Sequence, residues 1–231
     1  LVEWQAEAAR PLSRDPGPID RDAVWAAKKV ALEVVHAAPR SAARQARYDA
    51  FRAEQGEGLE DFATWCALAE HFGGPEWPEE YRDRDSEAVL ELRERLADRV
   101  DFHRWLQWVA DEQLAAAHRA ALDAGMRIGI MHDLAVGVHP EGADAWAGAE
   151  VLAHGVSVGA PPDMYNQQGQ NWSQPPWRPD ELERMGYAPY RDMLRTVLRH
   201  AGALRVDHVI GLFRLWWIPA GHPATDGVYV Y

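Results

Sequence analysis

A change of texture at Gly125 constrains this chain more than any motif in it. Residues 1–125 carry 16 Lys and Arg, 25 Asp and Glu, and only 12 Gly and Pro. Residues 126–231 carry 8, 11 and 21 of the same classes. Dense charge with few breakers suits amphipathic helices, so the first part reads as helical. The second part reads as strands, long loops and a few helices. The 231 residues suffice for one large domain or two small ones, and 47% apolar residues can supply a packed core.

In the first part, Asp20 caps a helix bearing Val24, Ala27, Ala31 and Val34, and Pro39 stops it. A second helix runs from Ser41 to Glu54 and breaks at Gly56 and Gly58. A third aligns Phe62, Trp65, Cys66, Ala69 and Phe72 on its inner face and ends at Gly73-Gly74. Ser86 caps a fourth, with Val89, Leu92, Leu96 and Val100 facing inward. A fifth spans 101–124 and turns Phe102, Leu106, Val109 and Leu114 to the core.

In the second part, residues 126–138 and 203–210 read as two buried strands rich in β-branched residues. A broken helix over 181–201 lies between them, so the pair is predicted to be parallel. Residues 151–179 hold eight glycines and prolines and are predicted to form a long ordered loop.

Composition excludes several function classes. The net charge of −12 has the wrong sign for a phosphate-covering surface, so no nucleic-acid partner is expected. No apolar run is long enough to cross a bilayer, so no membrane partner is expected either. The single cysteine, Cys66, rules out an internal disulfide framework and a Cys-based zinc site, and a cytoplasmic setting is the default expectation. The ten histidines show no metal-ligand spacing, so no metal is expected. There is no Gly-rich phosphate loop. Gly155-Val156-Ser157-Val158-Gly159 matches a nucleophile elbow, but Pro161-Pro162 prevents the helix that motif requires, so Ser157 is expected in a loop.

Two segments carry candidate chemistry. In Arg205-Val206-Asp207-His208, strand alternation puts Arg205 and Asp207 on one face. A guanidinium there favours the ionised carboxylate that a covalent nucleophile needs; a purely structural Arg–Asp pair has the same spacing. The loop 158–172 supplies Asp163, Tyr165, three glutamines, two asparagines and Trp172, the mix of amides and aromatic faces that suits a sugar.

Taken together, 158–172, 203–219 and the strand-plus-loop 129–146 resemble the amylomaltases, the 4-alpha-glucanotransferases of glycoside hydrolase family 77, and most of all their longer actinobacterial-type members. The resemblance implies an α/β fold: part of a TIM (β/α)8 barrel over 126–231, carrying a helical insertion subdomain over 1–125. It implies retaining transfer of α-1,4-glucan segments between maltodextrins, without a cofactor. By resemblance Asp207 is the nucleophile, Arg205 orients it and His208 bonds the donor sugar. Asp163, Tyr165, Gln170, Trp172, Asp133 and Glu141 are the implied substrate-binding residues. Tyr165 stands where the family has Phe, Met164 where it has Tyr, and Glu141 where it has Asp. The family's acid/base glutamate lies in a Gly-Glu-Asp-Leu-Gly-like segment that does not follow His208 here. The resemblance therefore implies an internal piece that holds the nucleophile without its partner and is inactive alone. The alternatives are a hydrolase of the α-amylase superfamily and a non-catalytic glucan-binding module.

Overall fold

The computed structural model describes residues 2–14 and 16–231. Helices α1 (Val2–Arg14), α2 (Arg21–Ala37), α3 (Ala42–Phe72), α4 (Glu87–Arg95) and α5 (Ala97–Asp123) build the first part. Their ends follow the expected chemistry. Asp20 accepts from the N–H of Ala23 and Ser41 from that of Arg44. Ser86 accepts from Val89, and Gly73 closes α3 in the left-handed region at φ 78°.

Three expectations need correction. Gly56 (φ 56°, ψ −137°) kinks α3 rather than ending it, because the helix resumes at once on the far side. The buried stripe beyond the kink is Leu59, Ala63, Thr64, Ala67 and Leu68, one position over from the expected face. Phe62, Trp65, Cys66, Ala69 and Phe72 are only half-buried. The small side chains at 63 and 67 let Val100 pack directly on α3, which selects that stripe. On α5, Leu114 is 45% exposed, while Trp105 and Trp108 turn inward. They pack with Tyr48, Phe51, Leu59 and Phe102 in one cluster. A second cluster joins Leu68, Trp77, Val89 and Leu92.

Ion-pair hubs tie these helices together. Glu70 on α3 receives Arg99 at 2.8 and 3.0 Å and Lys29 at 3.2 Å, joining α2, α3 and α5. Burial raises its pKa, but Arg99, His103 and Lys29 outweigh burial and hold it down at about 2. Asp101 accepts the Tyr48 hydroxyl at 2.8 Å and faces His36 Nε2 at 3.0 Å. Burial pushes its carboxyl up, and those two bonds with Arg104 keep it below the usual range. Cys66 is pushed up to about 12 by burial and by Glu70, which makes it an inert thiol.

After Gly125 come β1 (Met131–Leu134), α6 (Ala143–Ala147), β2 (Val156–Ala160), β3 (Gln170–Gln174), α7 (Pro179–Arg184), α8 (Ala188–Leu198), β4 (Ala203–Val206), β5 (Leu215–Pro219) and β6 (Val228–Val230). β1 and β4 pair in parallel, as predicted, in the register Asp133 to Arg205. They are four-residue strands rather than the long buried ones expected, and Met131 is 59% exposed. Among the described residues each has only the other as a sheet neighbour.

The expected long loop over 151–179 holds two strands, β2 and β3, with irregular chain between and around them. β3, β2, β5 and β6 form an antiparallel sheet in that order. Gly159 explains why punctuation misled: a Cβ there would stand 1.9 Å from the Gln170 carbonyl oxygen and 2.6 Å from Ile218 Cδ1. Glycine is what lets β2 close on β3. Ser157 therefore sits within β2, not in a loop. No helix follows it, so the nucleophile-elbow geometry is absent, as the prolines required.

The two parts meet at charged and aromatic contacts. Arg199, after α8, bonds Asp111 of α5 at 2.7 Å and Glu54 of α3 at 2.5 and 2.7 Å. Trp146 of α6 donates to the Tyr81 carbonyl at 3.0 Å. Among the described residues, no helix is long and apolar enough to cross a membrane.

The Glu70 hub makes a pH prediction. A carboxyl lowered in the folded state stabilises it above the unfolded carboxylate range, about pH 4.3. That contribution disappears as pH falls towards the folded value of about 2. Urea unfolding followed by tryptophan fluorescence is expected to show Glu70→Gln less stable at neutral pH by roughly 1–3 kcal/mol. The gap narrows at about pH 3.

Candidate active site

The site is assembled at the C-terminal ends of β1 and β4. Parallel register puts Asp133 beside Arg205, and the Arg205 guanidinium donates to Asp133 Oδ2 at 2.6 Å. Its other nitrogen lies 3.2 Å from Asp207 Oδ1, just past the strand. One arginine thus bridges two carboxylates on neighbouring strands. The hydrogen bond to Asp133 first, then the charges of Asp133 and Asp207, raise the guanidinium above its ordinary value. The shared face of Arg205 and Asp207 is as alternation predicted; the bridge to Asp133 needs the strand pairing as well.

The chain then turns abruptly. His208 adopts φ 47°, ψ 48°, a left-handed conformation uncommon for a residue with a side chain. Its carbonyl accepts from Gly211 at 2.7 Å, opening a short 3-10 turn over Val209–Leu212. This ends the expected strand four residues early and leaves Val209 and Ile210 exposed. The His208 ring lies 4.6 Å from that of Trp172, centroid to centroid. Trp172 in turn donates to Gln170 Oε1 at 3.0 Å. The contact carries β3 to the end of β4 and brings Gln170, Trp172 and His208 together.

Asp163 and Tyr165 lie in the connection between β2 and β3. Asp163 Oδ1 accepts the N–H groups of Tyr165 and Asn166, both at 2.7 Å, so this carboxylate shapes the turn. Tyr165 is 91% exposed, with a free ring face, and Met164 beside it is 81% exposed. Asn171 holds the hairpin from inside: its Oδ1 accepts from Ser157 Oγ at 2.9 Å and from the N–H of Ser173 at 2.8 Å. The sequence reading counted Asn171 among the loop amides without assigning it this clamp. No sequence signal marks it: the clamp sits at the bulge between the Val158–Gln174 and Gly159–Asn171 pairs, where Ser173 is left-handed at φ 58°.

Glu141 is placed elsewhere. Its N–H donates to His139 Nδ1 at 3.1 Å, and it lines a cleft that includes none of Asp133, Arg205, Asp207 or Trp172. His132 Nδ1 lies 2.6 Å from the Val197 carbonyl, which pins β1 to α8. Among the described residues, no group of three or more His, Cys, Asp or Glu is arranged to hold a metal ion.

The arrangement offers an exposed carboxylate held by a guanidinium, a histidine packed at a tilt against an indole, and a solvent-facing aromatic hairpin. The chain resembles known proteins over nearly its whole length. The glycoside hydrolase family 77 model, described as 4-alpha-glucanotransferase, matches residues 2–231. The 4-alpha-glucanotransferase of Mycobacterium tuberculosis is 61% identical over 214 residues, covering 92% of this chain and 30% of that protein. The crystal structure of amylomaltase from Corynebacterium glutamicum superposes with a TM-score of 0.85 at 48% identity, covering 99% of this chain and 31% of that one. Amylomaltase from Streptococcus agalactiae in complex with acarbose superposes with a TM-score of 0.84. At 22% identity that likeness concerns the fold alone. This chain spans less than a third of the length of the mycobacterial and corynebacterial proteins. It belongs to glycoside hydrolase family 77, the 4-alpha-glucanotransferases.

Proposed function

We propose that this chain supplies the nucleophile and the sugar-binding hairpin of a disproportionating 4-alpha-glucanotransferase. Residues 1–125 are its helical insertion and 126–231 part of its TIM barrel. The observation that carries the reading is the Asp133–Arg205–Asp207 bridge at the strand ends, where barrel enzymes place their chemistry.

A carboxylate oxygen of Asp207 attacks the anomeric carbon of the donor glucosyl unit as the bond to the leaving O4 breaks. The proton for that oxygen comes from a general acid, and a β-linked glycosyl ester forms on Asp207. The 4-hydroxyl of an acceptor glucan then attacks the same anomeric carbon, gives its proton to the same group, now a base, and the bond from that carbon to the Asp207 oxygen breaks to free the carboxylate. Two inversions restore the α-linkage. Arg205 keeps the Asp207 oxygen aimed, and Asp133 holds the guanidinium from the other side. His208, seated on Trp172, hydrogen-bonds the donor sugar. Gln170 sits on the donor side with them, and Tyr165 offers its open ring to the acceptor. A firmly held acceptor and excluded water favour transfer over hydrolysis.

The acid/base must be a second carboxyl roughly 5–5.5 Å from the nucleophile. Asp133 is occupied by Arg205 and does not fill that role. We assign it to a part of the family protein beyond these 231 residues. The isolated chain is therefore expected to yield no longer glucans from maltotriose; disproportionation by it alone contradicts the assignment.

In the full-length enzyme, Asp207→Asn is expected to lower kcat for maltotriose disproportionation by roughly 10⁴-fold or more. Arg205→Lys keeps the charge but loses the two-sided fork, so a kcat loss of about 10²-fold is expected with little change in KM. Chromatography of the products reads both. Wild-type turnover in the Asp207 variant would remove the nucleophile from this strand.

A further inference from the structure

Helix α5 carries a histidine that the transfer chemistry above does not use. Past the end of α5 the chain doubles back, and Gly129 returns to the side chains of His118 and Leu122 just before β1. There His118, half-buried, accepts the Ile130 N–H on Nδ1 at 3.1 Å. The returning chain is shaped for that ring. Gly129 stands at φ 72°, and a Cβ there would lie 2.6 Å from His118 Cε1 and 2.7 Å from Nδ1. A side chain at 129 would push the imidazole off Ile130, and the left-handed backbone disfavours one as well.

Ile130 is held on its other side too. Its carbonyl accepts the N–H of Gly202, the residue before β4, at 2.9 Å. Asp111 lies seven residues before His118 on α5, so the two share a helix face. Asp111 bonds Arg199 and His200, each at 2.7 Å, just ahead of Gly202. One face of α5 thus grips the chain entering β1 and the chain entering β4. The Gly202–Ile130 bond closes the frame between them.

The strands need that frame. Each is four residues long, and of the two only β1 buries a residue, Leu134, so burial alone specifies their register weakly. Asp133 follows Ile130 by three residues, with no loop between to absorb a shift. A displaced Ile130 therefore moves Asp133 against Arg205, and with it the guanidinium that aims Asp207. We propose that His118 is a positioning residue of the transfer reaction: by fixing Ile130, α5 sets the β1–β4 register on which the Asp133–Arg205–Asp207 bridge depends. The proposal rests on the glucanotransferase reading.

The test uses the full-length enzyme and maltotriose disproportionation. His118→Leu fills much of the ring's space without an acceptor. It is expected to lower kcat about tenfold or more while KM stays within about twofold. His118→Asn offers an amide oxygen near the place of Nδ1 and is expected to bring kcat back to within about threefold of wild type. A residue that only stabilised the fold would lower the melting temperature and leave kcat of the folded enzyme unchanged. In an Asp133→Asn background the bridge is already broken, so His118→Leu is expected to cost at most about another twofold. Circular dichroism gives the folded fraction, and His118→Ala takes the place of the leucine variant where that does not fold. Wild-type kcat in the leucine variant, no rescue by asparagine, or full additivity with Asp133→Asn overturns the positioning role, while an inactive Asp207→Asn enzyme upholds the transfer reading. Wild-type turnover by Asp207→Asn overturns both.

Discussion

The parallel pairing of β1 with β4 is the constraint on which the site depends. The two strands are separated by some seventy residues of chain, and only their register sets Asp133 opposite Arg205. A slip of one residue would turn one of these side chains to the other face and break the bridge to Asp207. Everything between them serves that register. His132 pins β1 to α8, and Arg199, past the end of α8, ties it to Glu54 and Asp111 of the helical part. The β2–β3 hairpin, inserted in the same crossover, delivers Trp172 to His208.

The helical part gives that crossover a rigid wall. Its aromatic clusters are stitched by carboxylates that burial would neutralise if arginine, tyrosine and histidine partners did not hold them charged. Such hubs specify one mutual arrangement of α2, α3 and α5, since any other leaves a buried charge unpaired. α5 then presents Asp111 to Arg199 and His200 from a fixed place. Asp207 and Arg205, by contrast, are half-exposed.

Local signals were legible where a single residue decides the outcome. Asp20, Ser41, Ser86 and Gly73 cap helices as their chemistry dictates, and Arg205 and Asp207 share the face that alternation assigns. The failures arise where distant chain decides. The stripe on α3 shifted because Ala63 and Ala67 admit Val100, a choice no periodicity within α3 encodes. The stretch 151–179 read as loop because glycine and proline usually interrupt strands, whereas Gly159 is there to admit a neighbouring backbone. The candidate site was legible in its residue types and only partly in its assembly. The Trp172–His208 contact joins two elements whose meeting depends on a left-handed turn at His208, and Glu141 belongs to another cleft.

The central claim is that Asp207 carries the glucan between donor and acceptor. The most direct measurement is mass spectrometry of the full-length enzyme inactivated with a fluorinated maltosyl fluoride, a donor whose ester is formed faster than it is discharged. The account predicts one glycosyl adduct in the tryptic peptide Val206–Arg214, located on Asp207. An adduct on Asp133 or any other carboxylate, or inactivation with no covalent adduct, would contradict it.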